Sequence, residues 1–394
     1  MQYLLFLTLL LVPTYENHFS LFGLPANPLM LWIIFLWLLF VAFLFLAKKT
    51  QNFIAFLKNI NLKTAYGVAL FFLSGIIAVF VAGVSIKTIG QFFVLFFQPL
   101  TVFVIFKYFI SENSELKTNF TNLLYVLLGL FGIFAIVQYV TLFGLPPLYW
   151  GNSIEPKRAT SFFHHPNFYA LFSVPLLSFL LPDLFSKIKI NVKHNLGWIV
   201  LWLTATAGAF LSLSRAGWLG LCLAIFIYVV LSEDRKIRTI ATVAFVSLTL
   251  IVFSIPNLRF RVLLPFYKEK SAISRLSLWK TGAKAISQSP IFGLGLTGFS
   301  KSFSSLNTDP NLDSHNFPHN IFLNFWVETG IVGLISFTYI CFIIIKNGLK
   351  NRTKLEFFGA ALFVFSLLAQ GLIDNPYFKN DLALTFWIIA SFAL

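Results

Sequence analysis

The sequence predicts an all-α polytopic membrane protein, and three observations carry that prediction. Of 394 residues, 58% are hydrophobic and only 11% are charged, whereas soluble domains carry about 25% charged residues. Mean hydropathy is +0.83. Apolar runs long enough to form helices recur along the chain, separated by polar segments. A formal net charge of +15 would point to nucleic acid in a soluble chain. Here the basic residues fall mostly between apolar runs, so topology accounts for them; membrane lipids, not nucleic acid, are the expected surroundings.

The runs fall at 1–14, 28–47, 64–84, 89–110, 120–143, 166–182, 196–212, 216–232, 239–255, 319–345, 355–373 and 382–394. A helix spans a bilayer with about 20 residues. About twelve transmembrane helices are therefore expected, in a single integral membrane domain over 1–394, with the first and last runs short. The first run lacks the basic leader and small-residue cleavage site of a signal peptide. Cys222 and Cys341 lie inside apolar runs and read as small core residues, not as a disulfide or metal pair.

Orientation follows from lysine and arginine. With the N-terminus inside, 16 of the 29 basic residues fall on inside loops and 5 on short outside loops; the remaining 8 lie in the long segment 256–318. Long loops translocate largely regardless of charge, so the first two figures decide: both termini are expected in the cytoplasm and 256–318 outside. Within this outer loop, Leu276, Trp279, Ala283 and Ile286 recur at helical spacing, Ser274 can cap the start and Pro290 can stop the run. This reads as an amphipathic helix along the outer surface. The segment from Ser300 to Pro318 reads as polar loop.

Under this topology the unusual polar residues gather at the outer face. Arg158 and His164-His165 precede the sixth run, and Arg215 sits in the tight turn Ser212-Leu213-Ser214 before the eighth. Arg275 opens the amphipathic helix. His319 and Asn320 follow Pro318 where the tenth run starts, and Asp374 to Asp381 flank the last outer turn. Glu328 lies inside the tenth run, where an ionisable group is costly and functional by default. Gly330 and Gly333, three apart, would let a neighbouring helix approach closely. Plainer roles stand beside these: Arg215 snorkelling to phospholipid, His319 bonded to backbone, the histidine pair as a loop feature, and Glu328 and Asp374 in structural pairs. There is no H-E-x-x-H, no His/Cys metal spacing and no P-loop, so neither metal nor cofactor is expected.

The arginines suit a diphosphate, because guanidinium forks match phosphate oxygens. A neutral histidine on the same face can accept a proton from a hydroxyl. The pattern Arg158…Thr160…His165-Pro166-Asn167, Ser214-Arg215-Ala216-Gly217-Trp218-Leu219-Gly220, Arg275-x-x-x-Trp279 to Pro290-x-x-Gly293-x-Gly295, Pro318-His319-Asn320 with Gly330-x-x-Gly333, and Gly371-x-x-Asp374-x-Pro376 resembles the O-antigen ligase and polymerase superfamily. These are bacterial membrane glycosyltransferases of the GT-C type. The resemblance covers roughly 150–394; the first 150 residues match only in hydropathy.

The resemblance implies a metal-independent transferase in the bacterial inner membrane, with its active face toward the periplasm. Such an enzyme moves a glycan from a polyprenyl (undecaprenyl) diphosphate donor to a glycan or lipid-core acceptor. It implies diphosphate binding for Arg215 and Arg275, with Arg158 a further candidate, and catalysis at the acceptor for His319. Asn320, Glu328, His165 and Asp374 are supporting candidates. The His-Asn signature favours ligation over repeat-unit polymerisation or protein O-glycosylation. A lipid-linked oligosaccharide flippase is the alternative of another class, expected to show inverted repeats and broken helices; the sequence displays neither.

Overall fold

The computed structural model describes residues 2–21, 24–152, 156–232, 235–254, 270–309, 312 and 315–394. The chain opens with α1 (Gln2–Leu11), a 3-10 turn (Val12–Glu16) and a small antiparallel hairpin of β1 (Phe19–Leu21) and β2 (Leu24–Ala26), Phe19 opposite Ala26. α2 (Pro28–Leu46), α3 (Thr50–Lys58) and α4 (Leu62–Ala82) follow. α5 (Ile86–Phe92) passes through a π-helical turn (Phe93–Phe97) into α6 (Gln98–Glu112), and α7 (Glu115–Thr141) comes next. After a long connection come α8 (Pro166–Ile190), α9 (Leu196–Leu211), α10 (Arg215–Leu231) and α11 (Arg235–Ser254). The chain closes with α12 (Lys270–Gln288), α13 (Gly298–Leu306), α14 (Ile321–Lys350), α15 (Leu355–Gly371) and α16 (Asn380–Ala393).

The protein is a multi-pass, mostly helical membrane protein. By length and composition α2, α4, the continuous segment Ile86–Glu112, α7, α8 and α14 can each cross a bilayer, and shorter apolar helices include α9, α10 and α15. Each apolar run of the sequence coincides with a helix. α8 is the central helix, with 83% of its apolar window buried; it packs on α9, α10 and α15. α16 is buried from Leu382 to Ala393. Small residues allow close approach between α7 and α9: a Cβ on Gly208 would lie 2.6 Å from the Gly132 Cα. Without a hydrophobic drive between helices in lipid, such close packing supplies much of the association energy.

The polar contacts separate the two ends of the bundle. One end carries Lys49–Glu112 (3.7 Å), Lys117–Glu356 (3.2 Å) and Lys187–Asp183 (2.5 Å). The other carries the cluster described below.

Four local expectations change. α12 starts at Lys270, so Ser274 lies inside it instead of capping it. Its buried face is Leu278, Thr281 and Ala285, while Leu276 is 52% exposed. The helix is rotated because its small residues face inward: a Cβ on Gly282 would lie 3.3 Å from Pro318. The segment read as polar loop contains α13, whose Phe299, Phe303 and Leu306 pack with Leu278, Ala285 and Val327 as a second small core.

Gly330 is not on a regular helix face. At φ 67° and ψ −173° it breaks α14, and the freed backbone is satisfied by the 291–294 segment, Leu294 N–H donating to Val327 (2.7 Å) and Ile331 N–H to Ile291 (3.1 Å). Only Gly333 meets another helix, at Ser74 of α4. Among the described residues, α14 is thus a broken helix that the sequence did not display. The outer-loop segment expected at 256–269 lies outside the described residues.

Candidate active site

His319 is held by the chain on both sides of it. Asn320 caps α14, its Oδ1 accepting the N–H groups of Phe322 and Leu323 at 3.0 Å, while its Nδ2 donates to the Leu372 carbonyl at 3.0 Å. The indole N–H of Trp279, on α12, donates to the His319 carbonyl at 3.3 Å. Between these anchors His319 takes a left-handed backbone, φ 49°, which costs a side-chain-bearing residue of order 1–3 kcal/mol and persists where surroundings enforce it. The imidazole Nδ1 lies 3.1 Å from Asp374 Oδ1. The histidine side chain is 32% exposed and the aspartate 6%, so the pair presents the ring and hides the carboxylate.

Asp374 is the hub. Its Oδ1 also accepts the Asn375 N–H at 2.8 Å, and its Oδ2 faces Asn167 Nδ2 at 3.4 Å. Asn167 Oδ1 in turn accepts from the Arg158 guanidinium at 2.6 Å, and Arg158 Nε donates to the Ser212 carbonyl at 2.9 Å. Arg275 Nε donates to the Ile373 carbonyl, next to Asp374, at 2.8 Å. Burial alone would raise the Asp374 pKa. The His319 hydrogen bond and charge, the Arg275 charge and the Asn375 N–H outweigh it and hold the carboxyl below its ordinary value. A carboxylate on Nδ1 leaves Nε2 as the basic nitrogen of the neutral ring.

The sequence-predicted residues divide accordingly. His319, Asn320, Asp374, Arg275 and Arg158 are joined through these contacts. Arg215 opens α10 three residues past Ser212, half-buried on the turn that Arg158 braces. His165 caps α8: its Nδ1 accepts the Asn167 N–H at 3.0 Å. Burial and then Arg158 push its pKa down to about 4, so it is a neutral acceptor in a structural position. His164 points elsewhere and pairs with Glu16. Glu328 stands apart from the cluster, its carboxylate taking the backbone N–H groups of Thr297 and, at 3.1 Å, Phe299, at the start of α13.

Three participants were not singled out from sequence. Asn167 stood in a landmark motif, yet nothing there distinguished it from its neighbour His165. His315 lies edge-on to His319, ring centroids 5.7 Å apart. Glu16, at the end of the first apolar segment, carried no signal at all. Among the described residues no three His, Cys, Asp or Glu side chains gather as a metal-ligating group. What the site offers a ligand is guanidinium charge and the partly exposed imidazole of His319.

Residues 199–338 match the family model described as O-antigen ligase, which bears out the superfamily resemblance over that stretch. The matched stretch contains Arg215, Arg275 and His319 but ends before Asp374. The chain is also 28% identical to an uncharacterized protein of Haemophilus influenzae over 189 residues, 42% of this chain and 46% of the relative. It therefore spans about half the length of the curated relative it matches.

Proposed function

We propose that this protein is an O-antigen ligase-like glycosyltransferase. It moves a glycan from a polyprenyl diphosphate to an acceptor hydroxyl at the outer face of the inner membrane. The observation that carries the reading is the His319–Asp374 pair, lying within a network that also holds Arg158 and Arg275, inside and beside a stretch matching the O-antigen ligase family. Neutral His319, oriented by Asp374 through Nδ1, takes the acceptor hydroxyl proton on Nε2. The acceptor oxygen bonds to the anomeric carbon as the bond from that carbon to the diphosphate oxygen breaks. Arg215 and Arg275 hold the departing diphosphate and offset its growing charge without a metal. Arg158, with both described donors committed to Ser212 and Asn167, braces the network.

A permease would place broken helices along a cavity. The break in α14 is instead filled by the protein's own 291–294 backbone, which favours the transferase. Ligation and polymerisation share this donor chemistry and differ in acceptor. The test is to incubate the purified protein with an undecaprenyl-diphosphate-linked oligosaccharide and either a lipid A-core or a second lipid-linked oligosaccharide. Product on the first acceptor alone identifies a ligase, and product on the second alone a polymerase. Product on neither removes the proposal.

A further inference from the structure

Building on the proposed function, we infer that Glu16 is a positioning residue for the reaction, acting through Asp374 from a part of the chain that neither the superfamily resemblance nor the family match covers. Glu16 ends the 3-10 turn after α1 and its side chain is only 18% exposed. Its Oε2 pairs with the His164 imidazole. Its Oε1 accepts the Tyr15 hydroxyl at 2.5 Å and lies 3.8 Å from Lys379 Nζ, which itself donates to Tyr15 Oη at 3.1 Å. Lys379 also lies over the Phe168 ring, one residue past Asn167. One carboxylate thus ties two loops together from behind.

These are the loops that supply the two halves of the site's weakest joint. His164 is three residues before Asn167, and Lys379 five after Asp374. Asn167 and Asp374 meet at 3.4 Å, long for an N–H···O bond, so that contact cannot set the spacing of its own loops. The turn bearing Asp374 is pinned from below, where Tyr377 Oη donates to the Leu95 carbonyl at 2.8 Å. On the side of the 158–167 loop, Glu16 makes the link through His164, while Asn320 and Arg275 hold the neighbouring Leu372 and Ile373 carbonyls. Removing the Glu16 charge loosens His164 and Lys379 together and lets the two loops shift, which moves Asp374 relative to Nδ1 of His319.

The test compares wild type, Glu16→Gln, Asp374→Asn and the double variant, using an undecaprenyl-diphosphate-linked oligosaccharide and the acceptor that yields product. Glu16→Gln is expected to lower kcat about tenfold, within the coupling range of contacting networks, with KM for the donor nearly unchanged. Glu16→Asp should recover part of the loss, and the double variant should be no slower than Asp374→Asn. Amide hydrogen exchange in Glu16→Gln should rise in 158–167 and 372–379.

Full activity of Glu16→Gln, losses that multiply in the double variant, or unchanged exchange in both loops would each overturn the inference while leaving the catalytic pair intact. Full activity of Asp374→Asn would instead overturn the pair, and the positioning claim with it.

Discussion

At His319 a strained backbone, a buried carboxylate and an exposed ring coincide, and each has a measurable consequence. General-base help is worth about 10²–10⁴ in rate, so His319→Ala should lose that much kcat while donor binding is largely kept. His319→Gln separates base from positioning: it should be nearly inactive, and substantial activity would leave only a positioning role.

Arg215→Ala should weaken donor binding by the loss of a charge-assisted bond, about 1.5–3 kcal/mol, and Arg215→Lys should recover only part, for want of the fork. Equal affinity in all three would return Arg215 to snorkelling. His165 gives a stability test. Its folded pKa, about 4, lies below the unfolded value near 6.5. The unfolded chain therefore binds a proton first as pH falls. Stability should be full above pH 6.5 and decline to about pH 4, by up to about 3 kcal/mol. His165→Asn, which keeps a cap acceptor, should flatten that decline in thermal unfolding between pH 7 and 4.5; an unchanged slope would show that other groups cause it.

The elements around the site act as supports. α13 is fixed at its start by Glu328, where a carboxylate meets the free N–H groups and positive end of a helix. α13 packs on α12, and α12 delivers Trp279 to His319 and Arg275 to the Asp374 turn. Gly330 makes room for the 291–294 segment between them, and at its positive φ any side chain is strained. Gly330→Ala should lower the unfolding midpoint by the equivalent of about 1–3 kcal/mol of backbone strain, plus the clash of a Cβ with the Ile291 carbonyl; an unchanged midpoint would mean that the break relaxes freely.

This is also where sequence reading met its limits. Apolar runs located the helices of the bundle because burial in lipid is written in composition. The phase of α12 was not legible, since its inward face is chosen by small residues that let Pro318 approach, while bulky Leu276 stays outside. α13 was hidden because serines separate its three inward apolar residues. Gly330 and Gly333 share a spacing, and only tertiary contact distinguishes a helix break from a packing surface.

For the whole molecule, we propose from the charge asymmetry that the cluster lies at the outer face. Single cysteines at Ser302 and Asn351 should label from opposite sides in intact cells; labelling of both from one side would reverse the orientation argument. The candidate site was legible as ordered landmarks, and the contacts among Arg158, Asn167, Arg275, His319 and Asp374 bring four of those five motifs together through side chains, with the Arg215 turn joined through Ser212. Its partners were less legible: which of His165 and Asn167 reaches Asp374 depends on one helix cap, and Glu16 approaches through folding alone.

In the proposed reaction, His319, oriented by Asp374, catalyses glycan transfer from a lipid diphosphate. The most direct measurement is the rate at which glycan leaves an undecaprenyl diphosphate donor and appears on the acceptor, for wild type, His319→Ala and Asp374→Asn at matched protein levels. Wild type should give covalent product and both variants a slower rate, with the greater loss in His319→Ala and donor still bound. Equal rates in all three would contradict it.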